Sequence, residues 1–315
     1  MSKPGLLIVD KATPRMRDRL AEHFTPHDYD AAAGPASVAA DAGIEYVLSG
    51  AGHSAIGADL MDALPDLKII SNFGVGYDAI DTPAAVARGV MVTHTPDVLN
   101  DEVANTAVLL MLATARNLVQ DEAYLRSGRW EKEGSAPLSR SVRGRTVGIL
   151  GLGRIGQAVA EKLGVFGVDI AYHTRSRKDV PWRYFDNLVE MAEAVDILIV
   201  ITPGGAETRH LVNAEVLNAL GPDGMLVNIA RGTVVDETAL VAALAEGRLG
   251  SAGLDVFEHE PKVPAELIAM SNVTLLPHVG SATVETRQAM GDLAVENLVA
   301  FATSGKAVTP VPECR

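Results

Sequence analysis

Val147-Gly148-Ile149-Leu150-Gly151-Leu152-Gly153-Arg154-Ile155-Gly156 is a short apolar run that breaks into three glycines spaced G-x-G-x-x-G. In a chain with 29 glycines the spacing alone describes any strand-to-helix turn, and its flanks decide the reading. Thr146 to Leu150 predict a buried strand, Gln157 to Leu163 an amphipathic helix, and Val168 to His173 a second strand. Together they make a βαβ unit of roughly 30 residues. Each glycine then has separate work: Gly151 allows the tight turn, Gly153 lets a pyrophosphate approach the backbone, and Gly156 lets helix and strand pack closely. The helix N-terminus adds unpaired N–H donors and partial positive charge where phosphates would sit, with Leu152, Arg154 and Ile155 completing the loop. The stretch predicts a dinucleotide site.

The end of the second strand says which dinucleotide. An NAD site places Asp or Glu about 20 residues beyond the glycines, on the ribose 2′-OH. Here that stretch is His173-Thr174-Arg175-Ser176-Arg177, while Asp169 comes too early and Asp179 too late. A guanidinium offers forked donors that match a 2′-phosphate, which a carboxylate would repel. NADP(H) is therefore expected, with Arg175 and Ser176 first among its contacts and Thr174 and Arg177 in support; the alternative is a solvated basic loop.

Composition bounds the rest. At 315 residues and 48% hydrophobic, the chain has material for two cores. A net charge of −13 without a concentrated basic surface argues against a nucleic-acid partner. The one cysteine, Cys314, leaves no internal disulfide and no cysteine-based zinc site. With no secretory leader after Met1 and no apolar run long enough to span a bilayer, a cytoplasmic protein off the membrane is expected.

The first hundred residues alternate strand and helix. Strands are expected at Leu6–Val9, Tyr46–Leu48, Lys68–Ile70 and Val90–Thr93, and helices near Arg15–His23, Pro35–Ala42, Ile56–Ala63 and Pro83–Arg88. This order means an α/β fold with doubly wound parallel sheets, whose ligands lie beyond the carboxyl ends of the strands. Ser49 and the loop Gly74-Val75-Gly76 fall there, and the glycines allow backbone N–H groups to approach a carboxylate. A long helix is expected over Asp101–Ser127, stopped by Gly128, followed by a loop or arm to Arg145 that carries Trp130, an interface anchor or an ordinary buried residue.

Beyond the glycine loop, strands are expected over Asp196–Ile201, Met225–Asn228, Ser251–Val256 and Val273–Leu276. The last three run into segments that carry Arg231, Glu260 and His278. Reducing a carbonyl takes a hydride, which a nicotinamide supplies, and a proton, which imidazole supplies best near neutral pH. His278 suits the proton, Glu260 the orientation of the ring, and Arg231 the grip on a substrate carboxylate. Singly, each has a bland reading as a surface ion pair, a loop carboxylate or a core histidine. His23, His27, His53, His94, His173, His210 and His259 lack the spacing of a metal site, and no metal is expected.

Gly151-Leu-Gly-Arg-Ile-Gly156, Asn228-Ile-Ala-Arg-Gly232, Leu254-Asp-Val-Phe-Glu-His-Glu-Pro261 and Leu276-Pro-His-Val-Gly280 resemble the D-isomer-specific 2-hydroxyacid dehydrogenases over nearly the whole chain. Asp97-Val-Leu-Asn-Asp-Glu-Val-Ala104 and Tyr124-Leu-Arg-Ser-Gly-Arg-Trp130 resemble the NADPH-dependent glyoxylate/hydroxypyruvate and hydroxyphenylpyruvate reductase branch. Where many relatives have an acidic residue after Val-Ala, this chain has Asn105.

The resemblance implies a Rossmann cofactor domain at 100–283 and a discontinuous flavodoxin-like substrate domain, 1–99 plus 284–315. It implies Arg231, Glu260 and His278 as catalytic residues, with Ser49, Gly74, Val75 and Gly76 beside Arg231 and His278 on the substrate. Asp255 would lie near the nicotinamide carboxamide and Thr106 near the cofactor, with Thr202, Pro203, Thr208, Ile229, Ala230 and Gly280 as further cofactor contacts. The implied activity is reduction of small 2-oxo acids by NADPH in a homodimer joined through the cofactor domains. Glyoxylate and hydroxypyruvate come first and arylpyruvates second. Formate dehydrogenases pair the histidine with Gln, so Glu260 counts against them. A dinucleotide-sensing, corepressor-like scaffold is the alternative from another class.

Overall fold

Runs of buried aliphatic residues alternate with helices along the chain, and in the computed structural model they build two parallel sheets. The structure describes residues 3–35, 38, 43–52 and 54–315. The chain divides into one unit of Met1–Leu99 with Thr283–Arg315 and a second of Asn100–Ala282. Most of the helix expected over Pro35–Ala42, and His53, fall outside the described residues.

The first unit holds β1 (Gly5–Val9), β2 (Thr25–Asp28), β3 (Ile44–Ser49), β4 (Ile69–Asn72) and β5 (Met91–Thr93) in the order β2-β1-β3-β4-β5. This is the 2-1-3-4-5 order of flavodoxin-like sheets. Leu6, Ile8, Val9, Val47, Leu48, Ile69 and Ile70 are completely buried, as strands covered on both faces require. Helix α1 (Pro14–His23) starts where Thr13 Oγ1 accepts the Met16 N–H at 3.2 Å and Pro14 presets the first turn. Helices α2 (Ala58–Asp62), α3 (Thr82–Ala87) and the 21-residue α12 (Val284–Ser304) complete the unit. Ser71 Oγ of β4 donates to Ala294 O at 2.8 Å and ties α12 to the sheet.

The second unit holds β6 (Thr146–Leu150), β7 (Asp169–His173), β8 (Arg183–Phe185), β9 (Ile197–Val200), β10 (Met225–Asn228), β11 (Ser251–Leu254) and β12 (Val273–Leu275). Their order, β12-β11-β10-β9-β6-β7-β8, is the Rossmann order lengthened by one strand, and its direction reverses between β6 and β9. Helix α7 (Arg154–Leu163) buries Gly156, Val159, Ala160 and Leu163, one stripe at helical spacing. Helices α8 (Leu188–Ala194), α9 (Ala214–Leu220), α10 (Glu237–Ala245) and α11 (Ala265–Ala269) connect the later strands.

The long helix expected over Asp101–Ser127 is two helices, α4 (Asn100–Ala115) and α5 (Leu118–Arg126). Asn117 breaks it in the left-handed conformation, φ +51°, which Asn tolerates better than most residues. The buried stripe of Val103, Ala107, Leu110, Met111 and Thr114 ends there, and Leu118 is exposed. The expected arm contains a short helix, α6 (Arg129–Glu133), closed by an Arg129–Glu133 ion pair at 2.7 Å. Trp130 on α6 is 61% exposed. Among the described residues, no helix is long and apolar enough to cross a membrane.

Candidate active site

Strands β10, β11 and β12 are parallel neighbours, so the segments that follow them leave one edge of the sheet. After β12 the chain bends back at His278, whose φ of +53° is a strained value for a side chain that carries Cβ. Asp255, 1% exposed at the end of β11, accounts for the bend. Its backbone carbonyl accepts the His278 N–H at 2.8 Å, and its Oδ1 and Oδ2 accept the Val279 and Gly280 amides at 2.7 Å each. Three successive N–H groups thus face one residue. Burial pushes the Asp255 carboxyl above its usual range, against the pull of the two amides.

The bend places His278 Nδ1 2.7 Å from Glu260 Oε2. Glu260 Oε1 accepts the Phe257 N–H at 3.0 Å, so both carboxylate oxygens are anchored. An ionised carboxylate only accepts, so beside it Nδ1 is the ring nitrogen that donates. Arg231 follows β10; its Nη1 donates to Ala230 O at 2.8 Å. Asn228 locks this turn: Oδ1 accepts the Ala230 N–H at 3.1 Å and Nδ2 donates to Arg231 O at 3.0 Å. Ile229 and Ala230 are buried between them in sequence. Asn228 was not among the residues singled out from sequence, although an Asn closing a buried strand is a turn signal.

The glycine loop follows β6, where the strand order reverses. Gly151 has φ +99°, and a Cβ there would meet Thr202 N at 2.9 Å; a Cβ on Gly156 would meet Gly151 O at 2.3 Å. A Cβ on Gly153 would meet nothing within 4 Å. Two glycines are therefore required by the protein's own packing, while the third borders open space at the N-terminus of α7, a cradle that fits a pyrophosphate. Leu152 is buried, and Ile155 is half-buried. Pro203 follows Thr202, and its carbonyl accepts Thr208 Oγ1 at 2.7 Å. Thr106 of α4 donates from Oγ1 to Gly280 O at 3.1 Å, so its hydroxyl braces the loop after His278.

At the end of β7, Thr174 Oγ1 donates to Ser176 O at 2.6 Å and shapes the turn that carries Arg175, Ser176 and Arg177. The Arg175 side chain is 95% exposed and lies 3.6 Å from Glu207, itself 86% exposed. An ion pair that open to water is weak and easily exchanged for another anion. Glu207, 32 positions away, could not be tied to Arg175 from sequence. In the first unit, Ser49 is buried at the end of β3, and Gly74, Val75 and Gly76 lie in the loop after β4.

The D-isomer specific 2-hydroxyacid dehydrogenase NAD binding domain model matches residues 108–280. The chain belongs to the D-isomer-specific 2-hydroxyacid dehydrogenase family. It is 50% identical over 270 residues to a hydroxyphenylpyruvate reductase of Plectranthus scutellarioides, covering 85% of this chain and 86% of that one. With a 2-ketogluconate reductase of Gluconobacter oxydans it shares 42% identity over 311 residues, 98% of this chain and 99% of the relative. Among solved structures it is similar to an NADPH-dependent glyoxylate/hydroxypyruvate reductase of Sinorhizobium meliloti, in complex with NADP and malonate. That comparison gives 52% identity and a TM-score of 0.93, covering 99% of this chain and 98% of the other.

In this dehydrogenase a second polar cluster, unread from sequence, stands two residues from Glu260. The Glu258 side chain, 9% exposed, receives Arg209 Nη2 at 2.6 Å and His210 Nε2 at 2.9 Å. Burial pushes its carboxyl up, but His210 and Arg209 outweigh burial and hold it below the usual range. A carboxyl depressed in this way contributes stability that is complete above its unfolded value, about 4.3, and is lost as pH falls through the folded one. Glu258→Gln is therefore expected to be less stable than the parent at pH 7 and to lose less on acidification. Melting curves from pH 7 to pH 3 check this; parallel losses below pH 5 would remove Glu258 from the account.

Proposed function

We propose that this chain is an NADPH-dependent reductase of small 2-oxo acids, with glyoxylate and hydroxypyruvate as its first substrates. The reading is carried by the 2.7 Å pair of His278 Nδ1 and Glu260 Oε2, one strand end away from Arg231. Arg231 grips the substrate carboxylate and polarises the neighbouring carbonyl, and the Val75 and Gly76 amides are the first unit's own carboxylate donors. A nicotinamide bound there would supply the hydride. His278 gives the proton from Nε2 to the carbonyl oxygen, and Glu260 keeps the ring oriented and balances the charge on it. The glycines from Gly151 to Gly156 and the start of α7 cradle the pyrophosphate. Thr174, Arg175, Ser176 and Arg177 hold the 2′-phosphate, a reading supported by the absence of a carboxylate in that stretch and by the NADP in the Sinorhizobium meliloti structure.

The 50% identity to a hydroxyphenylpyruvate reductase favours arylpyruvates as the second substrate class. The functional form we propose is a homodimer joined through the cofactor units, supported by the exposed Leu118, Val119, Leu125, Trp130 and Leu138 of α5, α6 and the following arm. Steady-state kcat/KM for glyoxylate, hydroxypyruvate, pyruvate and phenylpyruvate with each nicotinamide tests the reading. Turnover led by glyoxylate or hydroxypyruvate with NADPH is expected. Tight NADPH binding with negligible hydride transfer would favour the corepressor-like scaffold instead.

Arg175→Ala sharpens the cofactor assignment. Loss of one charge-assisted hydrogen bond to a phosphate costs about 1.5–3 kcal/mol, so the KM for NADPH is expected to rise about 10- to 150-fold. NADH, which lacks that phosphate, is expected to stay within about twofold. Equal effects on the two nicotinamides would return Arg175 to a solvated loop.

A further inference from the structure

Three successive carbonyls after β4 are turned into the first unit. Asn72 Nδ2 donates to Gly74 O at 3.1 Å and to Gly76 O at 3.0 Å, using both of its hydrogens. The Thr95 N–H donates to Gly74 O at 2.9 Å. His94 Nδ1 lies 3.1 Å from Val75 O, a partner that requires the N–H on Nδ1. Asn72 and His94 are each 8% exposed.

A peptide group is planar and trans, so a carbonyl held inward turns the N–H of the same plane outward. The Gly74 carbonyl shares its plane with the Val75 N–H, and the Val75 carbonyl with the Gly76 N–H. Both amides therefore face away from Asn72 and His94. Neither donates to another described residue. Two adjacent N–H groups aimed to one side make a concavity for an anion.

We propose that Asn72 and His94 are positioning residues for the substrate carboxylate: by pinning the Gly74 and Val75 carbonyls they aim the Val75 and Gly76 amides at it. The inference rests on the assignment of those two amides as carboxylate donors. His94 is itself braced by the chain's last segment. Its N–H donates to Thr309 O at 3.2 Å and its carbonyl accepts Thr309 Oγ1 at 2.6 Å. Asn297, wholly buried in α12, donates to Thr309 Oγ1 at 2.8 Å and accepts the Thr309 N–H at 2.9 Å. Tyr77 packs edge-on against the imidazole with ring centroids 5.5 Å apart.

The test uses Asn72→Ala, Asn72→Asp, His94→Phe and His94→Asn. The last keeps an N–H donor near the Nδ1 position. Malonate is titrated calorimetrically into the NADP-loaded protein, and glyoxylate KM and kcat, NADPH affinity and melting temperature are measured beside it. For the two Asn72 variants and His94→Phe, malonate affinity is expected to fall and glyoxylate KM to rise by about tenfold or more. NADPH affinity and kcat stay within about threefold, and His94→Asn recovers most of the loss. Folded Asn72→Ala with parental malonate affinity and glyoxylate KM would overturn the proposal, as would a fall confined to kcat. Should the Asn72 variants fail to fold, the His94 pair decides by the same criteria. A parent that binds malonate without turning over any 2-oxo acid, with variants that bind it more weakly, would retire the reductase reading and keep the positioning role. A parent that neither binds malonate nor saturates with glyoxylate would end both.

Discussion

His278→Ala is expected to lower kcat by about 10²- to 10⁴-fold, the range for loss of a positioned general acid, while NADPH affinity stays within about twofold. The ring is the removed part; the backbone that carries it is held by other groups. Asp255 accepts the amides of residues 278, 279 and 280, and none of those bonds involves the imidazole. The left-handed backbone at position 278 is unfavourable for alanine as it is for histidine, since both carry Cβ. His278→Asn is the companion variant, because asparagine tolerates that conformation and cannot transfer a proton at neutral pH. Single-turnover rates with NADPH and glyoxylate separate the chemical step from binding. A loss under about fivefold in both variants, with parental melting temperatures, would remove His278 from proton transfer.

Much of this was readable from sequence because the decisive signals are local. Thr146 to Gly156 places a buried strand, a turn and a helix start within eleven residues, and the structure forms β6, the loop and α7 there. Apolar runs at Leu6, Tyr46, Met225 and Val273 likewise mark strands of two parallel sheets. Signals fade where the chain is half-exposed. Strand β2 reads Thr25-Pro26-His27-Asp28, polar and interrupted by proline, and pairs only along one side of β1. Strand β8 is a three-residue edge of the other sheet. The break at Asn117 is invisible to periodicity, since one left-handed residue ends a helix without altering the residues around it. In the candidate site, Arg231, Glu260 and His278 stood out as reactive types at strand ends. The groups that aim them, Asn228 and the Asp255 carboxylate, act through backbone amides, and such bonds leave no pattern in residue spacing.

Gly232→Ala is expected to reduce kcat/KM by about 10²-fold or more, although the residue carries no reactive group. A Cβ at 232 would stand 1.9 Å from the Phe257 carbonyl carbon, 2.0 Å from its oxygen and 2.3 Å from Glu258 N. Ordinary contact lies near 3.5–4.0 Å, so the two backbones must part by more than about 1 Å. Flexible side chains absorb such clashes by rotation; here the opposing atoms are main chain. Movement at Phe257 carries with it the N–H that anchors Glu260 Oε1, and movement at 232 disturbs the neighbouring Arg231. Overpacking of this kind also costs about 1–3 kcal/mol of stability, and a backbone clash belongs at the upper end. Gly164→Ala is the control, with φ −54° and nothing within 4 Å of the added carbon. It is expected to be neutral or to stabilise by about 0.4–1 kcal/mol. Melting temperature and steady-state kinetics on both variants check the contrast. A Gly232→Ala protein that melts and turns over like the parent would show that the 231–232 and 257–260 segments yield freely, and that close packing does not hold Arg231 and Glu260 in place.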